Sequence, residues 1–450
     1  MLKIFNKSES PEASLYDRKE YKRTRTAYVW ESTFEYLIAL LVGDSFLAML
    51  LNHLGFSDSM IGIISSLISF AFLFQLLSIL VVQKIMNVKR ASLLCHALSS
   101  LFFMLLFLVP FMDLPEKLRP VIIISSILLA YLTNYLVISI IFKWAAIYID
   151  PDGRARFGAR REKTSLISGV VFSLAMGYGV DKFKDADNIE GAFIFLAAAI
   201  LVSGIFDFIS MLIMKAPSED QSSSYDDGLS IVESIRVVCK SKKFLIVAAM
   251  SFVTSFAAYL TASFLGIYKT KDLAISMTLI QIINIIGVIT RFAISTPVAK
   301  FSDRTSYARG ARLGYTFILC GYISLIFTSP KLWWLIIAFS ILSTAGYSGT
   351  VQNMYNIVFD CVEEKYFVHA SAIKAAISGI GGFCASLVGS AILNKIQANG
   401  NKFLGMNMRA QQVLAAISAI LILLVIFYLK FVVEKVLAHD KPMLTKESAE

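Results

Sequence analysis

Twelve apolar stretches run through the chain, most of them separated by short polar breaks, and they constrain its fold more than any other feature. They occupy residues 28–52, 58–83, 90–111, 118–146, 162–182, 190–215, 243–268, 272–299, 311–329, 331–358, 366–393 and 410–433. An α-helix rises about 1.5 Å per residue, so roughly 20 apolar residues match the hydrocarbon thickness of a bilayer. In lipid every backbone amide needs an internal partner, which leaves the helix as the spanning form for stretches of this length. Composition agrees. The chain is 57% apolar and 16% charged, where soluble domains run at roughly 45–50% and about 25%. The expected fold class is all-α integral membrane, with twelve transmembrane helices arranged as two six-helix bundles.

The polar breaks set the expected organisation. A polar arm covers residues 1–27, a first six-helix bundle 28–215, a linker 216–242, a second bundle 243–433 and a polar tail 434–450. No short apolar segment with a small-residue cleavage site precedes the first long span, so that span is expected to stay in the membrane. The linker starts with the polar stretch Pro217 to Asp227. It ends in an amphipathic segment, with Ile231, Val232, Ile235 and Val238 on one face and Glu233, Arg236 and Lys240 on the other. Such a helix is expected to lie along the cytoplasmic membrane surface.

Basic residues orient the spans. Twelve crossings put both termini on one side. The loops of that side carry 29 Lys and Arg, the loops of the opposite side carry ten, and Lys143, Arg291 and Lys374 fall inside spans. Positive charge collects in cytoplasmic loops. Both termini are therefore expected in the cytoplasm, with the protein in a cell (inner or plasma) membrane. The same distribution accounts for the net charge of +10 without nucleic acid as a partner.

Cys95, Cys239, Cys320, Cys361 and Cys384 are scattered and lack C-x-x-C spacing, so they read as small apolar core residues rather than disulfides or zinc ligands. The four histidines, His53, His96, His369 and His439, show no metal-ligand spacing. No G-x-x-x-x-G-K-[ST] loop, Ser-His-Asp set or H-E-x-x-H motif is present. The expectation is no enzyme activity, no cofactor and no metal.

The two halves match at a fixed offset of 210 residues. Ile147 pairs with Ile357, Asp150 with Asp360 and Phe157 with Phe367; Ile167-Ser168-Gly169 pairs with Ile377-Ser378-Gly379, and Gly179 with Gly389. Six spans per repeat give the halves the same orientation, as in transporters built from parallel repeats with a solute site near the midplane.

Ionisable residues inside spans are expensive and therefore functional candidates. Glu31, Glu35 and Asp44 lie in the first span. Glu31 and Glu35 share a helix face. Glu31 reads as a solvated carboxylate near the cytoplasmic end. Glu35 and Asp44 lie deeper and read either as proton carriers or as helix–helix hydrogen-bond or ion-pair partners. Arg291 in the eighth span reads as a solute-anion ligand or as the partner of Asp44 or Asp207. Asp207 reads as a packing or capping partner. Lys143 and Trp144 read as interfacial residues. The glycines of the fifth and eleventh spans read as close-packing positions.

With six plus six spans, a long central linker and basic 2–3 and 8–9 loops, the chain resembles the major facilitator superfamily from about Tyr28 to about Val433. Its most specific local match is Ala299-Lys300-Phe301-Ser302-Asp303-Arg304 with Arg309, similar to the family's G-x-x-x-D-R-x-G-R-[RK] loop, with Ala299 in place of the first glycine. The 2–3 loop, Gln83 to Arg90, keeps the positive charge but lacks the usual acidic residue. The 4–5 loop, Asp150-Pro151-Asp152-Gly153-Arg154-Ala155-Arg156-Phe157, looks like that of uncharacterised Gram-positive members. The resemblance makes Asp303, Arg304, Arg309, Asp150, Arg154 and Arg156 gating-loop candidates. It also implies a cavity lined by the first, fourth, seventh and tenth spans. The solute-contact candidates are then Asn134, Tyr135, Tyr259, Tyr347, Gln352, Asn353 and Asn356, beside Glu35, Asp44 and Arg291. The implied function is secondary transport of a small solute by alternating access, with protons as the candidate coupling ion, by a monomer in the lipid bilayer. A non-transporting receptor and a lipid- or amphiphile-handling protein on the same fold are the alternatives.

Overall fold

A computed structural model describes residues 16, 18–77, 87–150, 154–216, 231–363, 366–403 and 405–438. Among the described residues the regular structure is helical, apart from a two-residue antiparallel pair, Lys402–Phe403 with Met406–Asn407. The helices are α1 (Lys19–Leu41), α2 (Asp44–His53), α3 (Asp58–Ser65), α4 (Leu67–Ala71), α5 (Val88–Leu108), α6 (Arg119–Ala146), α7 (Arg154–Asp185) and α8 (Ile189–Ile213). They continue as α9 (Ile231–Lys240), α10 (Lys242–Ile267), α11 (Met277–Arg304), α12 (Tyr307–Ile326), α13 (Leu335–Phe359), α14 (Phe367–Ala398), α15 (Ala410–Tyr428) and α16 (Glu434–Ala438).

Each apolar stretch falls on a helix or a broken helix. Among the described residues ten helices are long and apolar enough to cross a membrane, and α1 with α2 makes an eleventh if counted as one span bent by 42°. The remaining stretch, 311–329, is α12. It is a 20-residue helix whose N-terminal end carries Arg309 and Arg312. Residues 78–83 of the second stretch lie outside the described residues.

Local chemistry starts these helices where the pattern changes. Ser57 accepts from the Met60 amide at 3.3 Å and Ser276 from the Leu279 amide at 3.2 Å. Asn87 accepts from Arg90 at 3.0 Å and Ser306 from Arg309 at 3.2 Å. These caps satisfy amides that have no partner inside the helix. Ser57 and Ser276 are 219 residues apart, and so are Asn87 and Ser306. α7 and α14 are both 32 residues long. The repeat read from residues 147–179 thus extends to the entries of four more helices, at an offset slightly longer than 210.

The first span is not one continuous helix. α1 ends at Leu41, and Asp44 opens α2 with a φ of 44°. Asp is one of the few non-glycine residues that tolerates this left-handed conformation.

The helices group into two compact units, residues 1–42 with 77–228 and residues 43–76 with 229–450. Residues 43–76 group with the second unit because small residues let them pack closely there. A Cβ on Gly62 would stand 1.9 Å from the Phe264 ring, one on Gly379 would stand 2.5 Å from the Ser69 carbonyl oxygen, and Ser69 donates to the Gly379 carbonyl at 2.9 Å. The core of the first unit gathers Tyr21, Tyr28, Val137, Ile141, Trp144 and Tyr148. That of the second gathers Phe244, Tyr315, Ile318, Tyr322, Ile357 and Ile422.

The outer faces are apolar too. α8 buries Phe193, Leu196, Ile200, Gly204 and Met211 and leaves Leu201, Val202, Ile205, Phe206, Ile209 and Leu212 exposed. A contiguous exposed stripe of this kind suits lipid rather than water.

Three expectations are corrected. Trp144 is fully buried and donates to the Lys215 carbonyl at 2.8 Å, so its indole packs inside the protein rather than against lipid headgroups. Cys239 and Cys320 are exposed, and of the five free cysteines only Cys361 is buried. Glu31 is 2% exposed, so it is not a solvated carboxylate. α9 buries Ser234 and Val238 and leaves Ile235 39% exposed.

Candidate functional site

In the first unit, α1, α5 and α8 pack together. Helical spacing puts Glu31 and Glu35 on the inward face of α1. His96 Nδ1 lies 2.8 Å from Asp207 Oδ2, with both side chains at most 4% exposed. A ligand atom of Glu31 joins them, all three within 4.8 Å of one another. Ser32 donates to Glu31 at 3.0 Å, and Asn134 on α6 donates to Glu35 at 3.0 Å. Tyr135, beside Asn134, stacks on Tyr131 with ring centroids 6.0 Å apart. Toward the middle of α1, Arg161 stands 5.0 Å over the Tyr28 ring and donates to its hydroxyl.

In the second unit, α10, α11, α12 and α13 line a partly open cavity of about 210 Å³. Thr261, Asn284, Tyr322, Thr344 and Tyr347 bring polar groups to its wall, and Lys269 closes one end. Lys269 is itself 6% exposed and donates to Asp44 Oδ2 at 2.8 Å. The neighbouring helix ends carry further pairs. Asp58 accepts from Lys271 and from Gln397, each at 2.7 Å, and Asp272 accepts from Arg409 and Gln411.

Among the residues singled out from sequence, Tyr347 lines this cavity, Asp44 faces it through Lys269, and Glu35 and Asn134 meet in the first unit. Tyr259 packs beside Gly382 and Ser69. Asn353 is buried and donates to the Gly349 carbonyl at 2.6 Å, while Gln352 and Asn356 bond each other at 3.3 Å. Arg291 is exposed on α11. The two acids named as its partners are held otherwise, Asp44 by Lys269 and Asp207 by His96. Asp303, Arg304 and Arg309 are exposed at the α11–α12 turn, and Asp150 is exposed after α6. Arg154 and Arg156 open α7, and their side chains lie outside the described residues.

Two features had no sequence signal. His96 stands 111 residues from Asp207, so no local spacing joins them. Lys269 reads as an ordinary loop cation until the helix end buries it.

A family model for the Major Facilitator Superfamily matches residues 36–386 and, again, 247–446. No curated protein matches by sequence. Among solved structures, the crystal structure of the nucleoside transporter NupG superposes with a TM-score of 0.70 at 12% identity, covering 90% of this chain and 98% of that one. A bacterial homologue of the human lysosomal transporter Spinster, inward-facing and unoccupied, gives 0.69 at 14% identity, covering 94% and 98%. A bacterial metal transporter gives 0.61 at 12% identity, covering 92% and 98%. At these identities the structural likeness speaks for the fold, and the sequence match speaks for the lineage. The all-helical membrane fold, the repeated helix entries and the family match over most of its length place the chain in the major facilitator superfamily.

Proposed function

We propose that this protein moves a small, uncharged, hydroxyl- or amide-bearing solute across a cell membrane by alternating access, with protons as the coupling ion and both termini in the cytoplasm. The observation that carries the solute class is the cavity of the second unit. At about 210 Å³ it equals the share of roughly seven waters in the liquid, room for a solute of monosaccharide size. Its hydroxyl and amide groups can direct hydrogen bonds at such a solute, and the Tyr322 and Tyr347 rings give it flat apolar walls. The one ammonium at its edge is matched by Asp44, so the pocket offers no unmatched charge to an ionic solute. The likeness to a nucleoside transporter, whose name implies a hydroxyl-bearing cargo, is in keeping with this class. Glu35 and Asp44 are the proposed proton carriers. The monomer is the proposed transport unit.

The test is reconstitution in proteoliposomes, after screening small polar solutes for thermal stabilisation of the purified protein. The stabilising solute is expected to accumulate when a proton gradient is imposed. Asn284→Ala and Thr344→Val are expected to raise KM about tenfold or more while leaving expression intact. An unchanged KM in both variants rejects the cavity as the solute site. Intact gradient-driven flux in both Glu35→Gln and Asp44→Asn rejects the coupling assignment.

A further inference from the structure

The three helices that meet inside the first unit each deliver one ionisable side chain to a single buried point. Glu31 comes from α1, His96 from α5 and Asp207 from α8, with exposures of 2%, 4% and 2%. One candidate ligand atom from each lies within 4.8 Å of the other two. His96 Nδ1 and Asp207 Oδ2 are already 2.8 Å apart. The other carboxylate oxygen, Asp207 Oδ1, is buried and has no hydrogen-bond partner. That orphaned oxygen is an observation separate from the clustering, because a buried carboxylate oxygen ordinarily finds a donor.

Charge sharpens the argument. Glu31 interacts electrostatically with Asp207, His96 and Glu35. The donors to Glu31 and Glu35 are the neutral Ser32 and Asn134. Three carboxylates therefore share an interior with one imidazole, which supplies a single positive charge at most. Burying several carboxylates together requires that they take up protons or gain a cation. A divalent ion with neutral His96 would balance Glu31 and Asp207 exactly as charges go, and would give Asp207 Oδ1 or Oδ2 a ligand bond.

The donor set selects the ion. One imidazole nitrogen and two carboxylate oxygens suit first-row divalent metals, whereas Mg²⁺ and Ca²⁺ prefer oxygen alone. Metal–ligand bonds of about 2.0–2.2 Å place neighbouring donor atoms roughly 3–3.5 Å apart. The present spread of up to 4.8 Å contracts to that with a shift of at most about 1.3–1.8 Å in the longest pair, which is within reach of Glu31 rotamers. We propose that Glu31, His96 and Asp207 form a binding site for one first-row divalent transition-metal ion, such as Mn²⁺, Co²⁺ or Zn²⁺, joining α1, α5 and α8. Ser32 holds the Glu31 carboxylate from behind as an outer hydrogen bond. The site belongs to the first unit and stands independently of the solute cavity in the second.

The test uses the full-length protein, purified through a tag without histidine, stripped with EDTA and placed in lipid nanodiscs. Titration with Co²⁺ is expected to saturate at one equivalent with visible ligand-field bands, and Zn²⁺ is expected to displace it. His96→Gln and Asp207→Asn are each expected to weaken binding at least tenfold. Glu190→Gln, an exposed residue at the start of α8, is expected to leave it unchanged. Wild-type protein loaded with Mn²⁺ is expected to show an imidazole ¹⁴N coupling by pulsed electron paramagnetic resonance, a readout that does not depend on a variant folding. Absence of saturable binding, equal binding in Asp207→Asn, or a bound ion without the nitrogen coupling each overturns the assignment.

Discussion

Lys269 Nζ sits 2.8 Å from Asp44 Oδ2, tying the end of the seventh span to the break in the first. Lys269 is 7% exposed and Asp44 39%, so the lysine depends on its partner more than the carboxylate does. Asp44→Asn keeps a residue that tolerates the left-handed backbone and removes only the charge, leaving a buried ammonium unmatched. Removing one partner of a fully buried pair costs about 3–5 kcal/mol, and the partial exposure of Asp44 reduces this to roughly 1–2 kcal/mol. The Asp44→Asn/Lys269→Met double variant is expected to be more stable than Asp44→Asn alone. Thermal unfolding of all four proteins in one detergent reads the coupling.

In the second unit α12 and α13 approach closely through backbone on both sides. A Cβ on Gly314 would stand 2.7 Å from the Gly346 carbonyl oxygen, and one on Gly346 would stand 2.6 Å from that of Gly314. Neither backbone can yield as a flexible side chain would. Gly314→Ala and Gly346→Ala are therefore each expected to destabilise by about 1–3 kcal/mol. Gly158 in α7 meets nothing within 4 Å, so Gly158→Ala is expected to be neutral or to stabilise by about 0.5–1 kcal/mol through helix propensity. Melting temperatures of the three variants give the order. A Gly346→Ala protein as stable as Gly158→Ala contradicts it.

Much of this fold is legible in the sequence because its cause is local. Apolar length fixes a spanning helix wherever it occurs, and a Ser or Asn before the run fixes its start, as at Ser57, Asn87, Ser276 and Ser306. The site is less legible because its causes are not local. Glu31 looks solvated when read along α1 alone, and only α5 and α8, far along the chain, bring His96 and Asp207 over it. Trp144 looks interfacial until the Lys215 carbonyl supplies its indole with a buried acceptor. Lys269 counts as a loop charge until Asp44 covers it. The break before Asp44 also escaped, because the apolar pattern runs through Leu41 and Val42 without interruption and the interruption is one of backbone angle.

Thiol chemistry separates two cysteines that composition treats alike. Cys361 lies between α13 and α14 at 7% exposure. Burial, with the Asp360 carboxylate beside it, pushes its thiol up to about 11. The thiolate is the reactive form, so raising the pKa lowers reactivity at neutral pH, and reactivity returns only as pH climbs toward that value. At pH 7.5 the thiolate fraction is roughly two orders of magnitude below that of an ordinary cysteine. In single-cysteine variants, a maleimide reagent is expected to label Cys239, which is exposed on α9, at least a hundredfold faster than Cys361. Unfolding in dodecyl sulfate is expected to equalise them. Equal rates in the folded protein place Cys361 in solvent and refute the packing described for it.

Asp58 concentrates three separate interactions, and its variants separate them. It stands in the first turn of α3, beside the capping Ser57, where its charge favours the amide end of the helix. It also accepts from Lys271 and from Gln397 at 2.7 Å each while being only 6% exposed. Lys271 is 51% exposed, so its ion pair is screened and Lys271→Ala is expected to cost no more than about 1 kcal/mol. Asp58→Asn keeps an acceptor for Gln397 and loses the charge, an intermediate loss. Asp58→Ala removes all three at once and leaves the Gln397 amide without its acceptor, for an expected loss of about 2–3 kcal/mol. The predicted order of melting temperature is Lys271→Ala, then Asp58→Asn, then Asp58→Ala, from highest to lowest. If Lys271→Ala proves as damaging as Asp58→Ala, the ion pair to the end of α10, rather than the buried acceptor for Gln397 of α14, is what holds α3 in place.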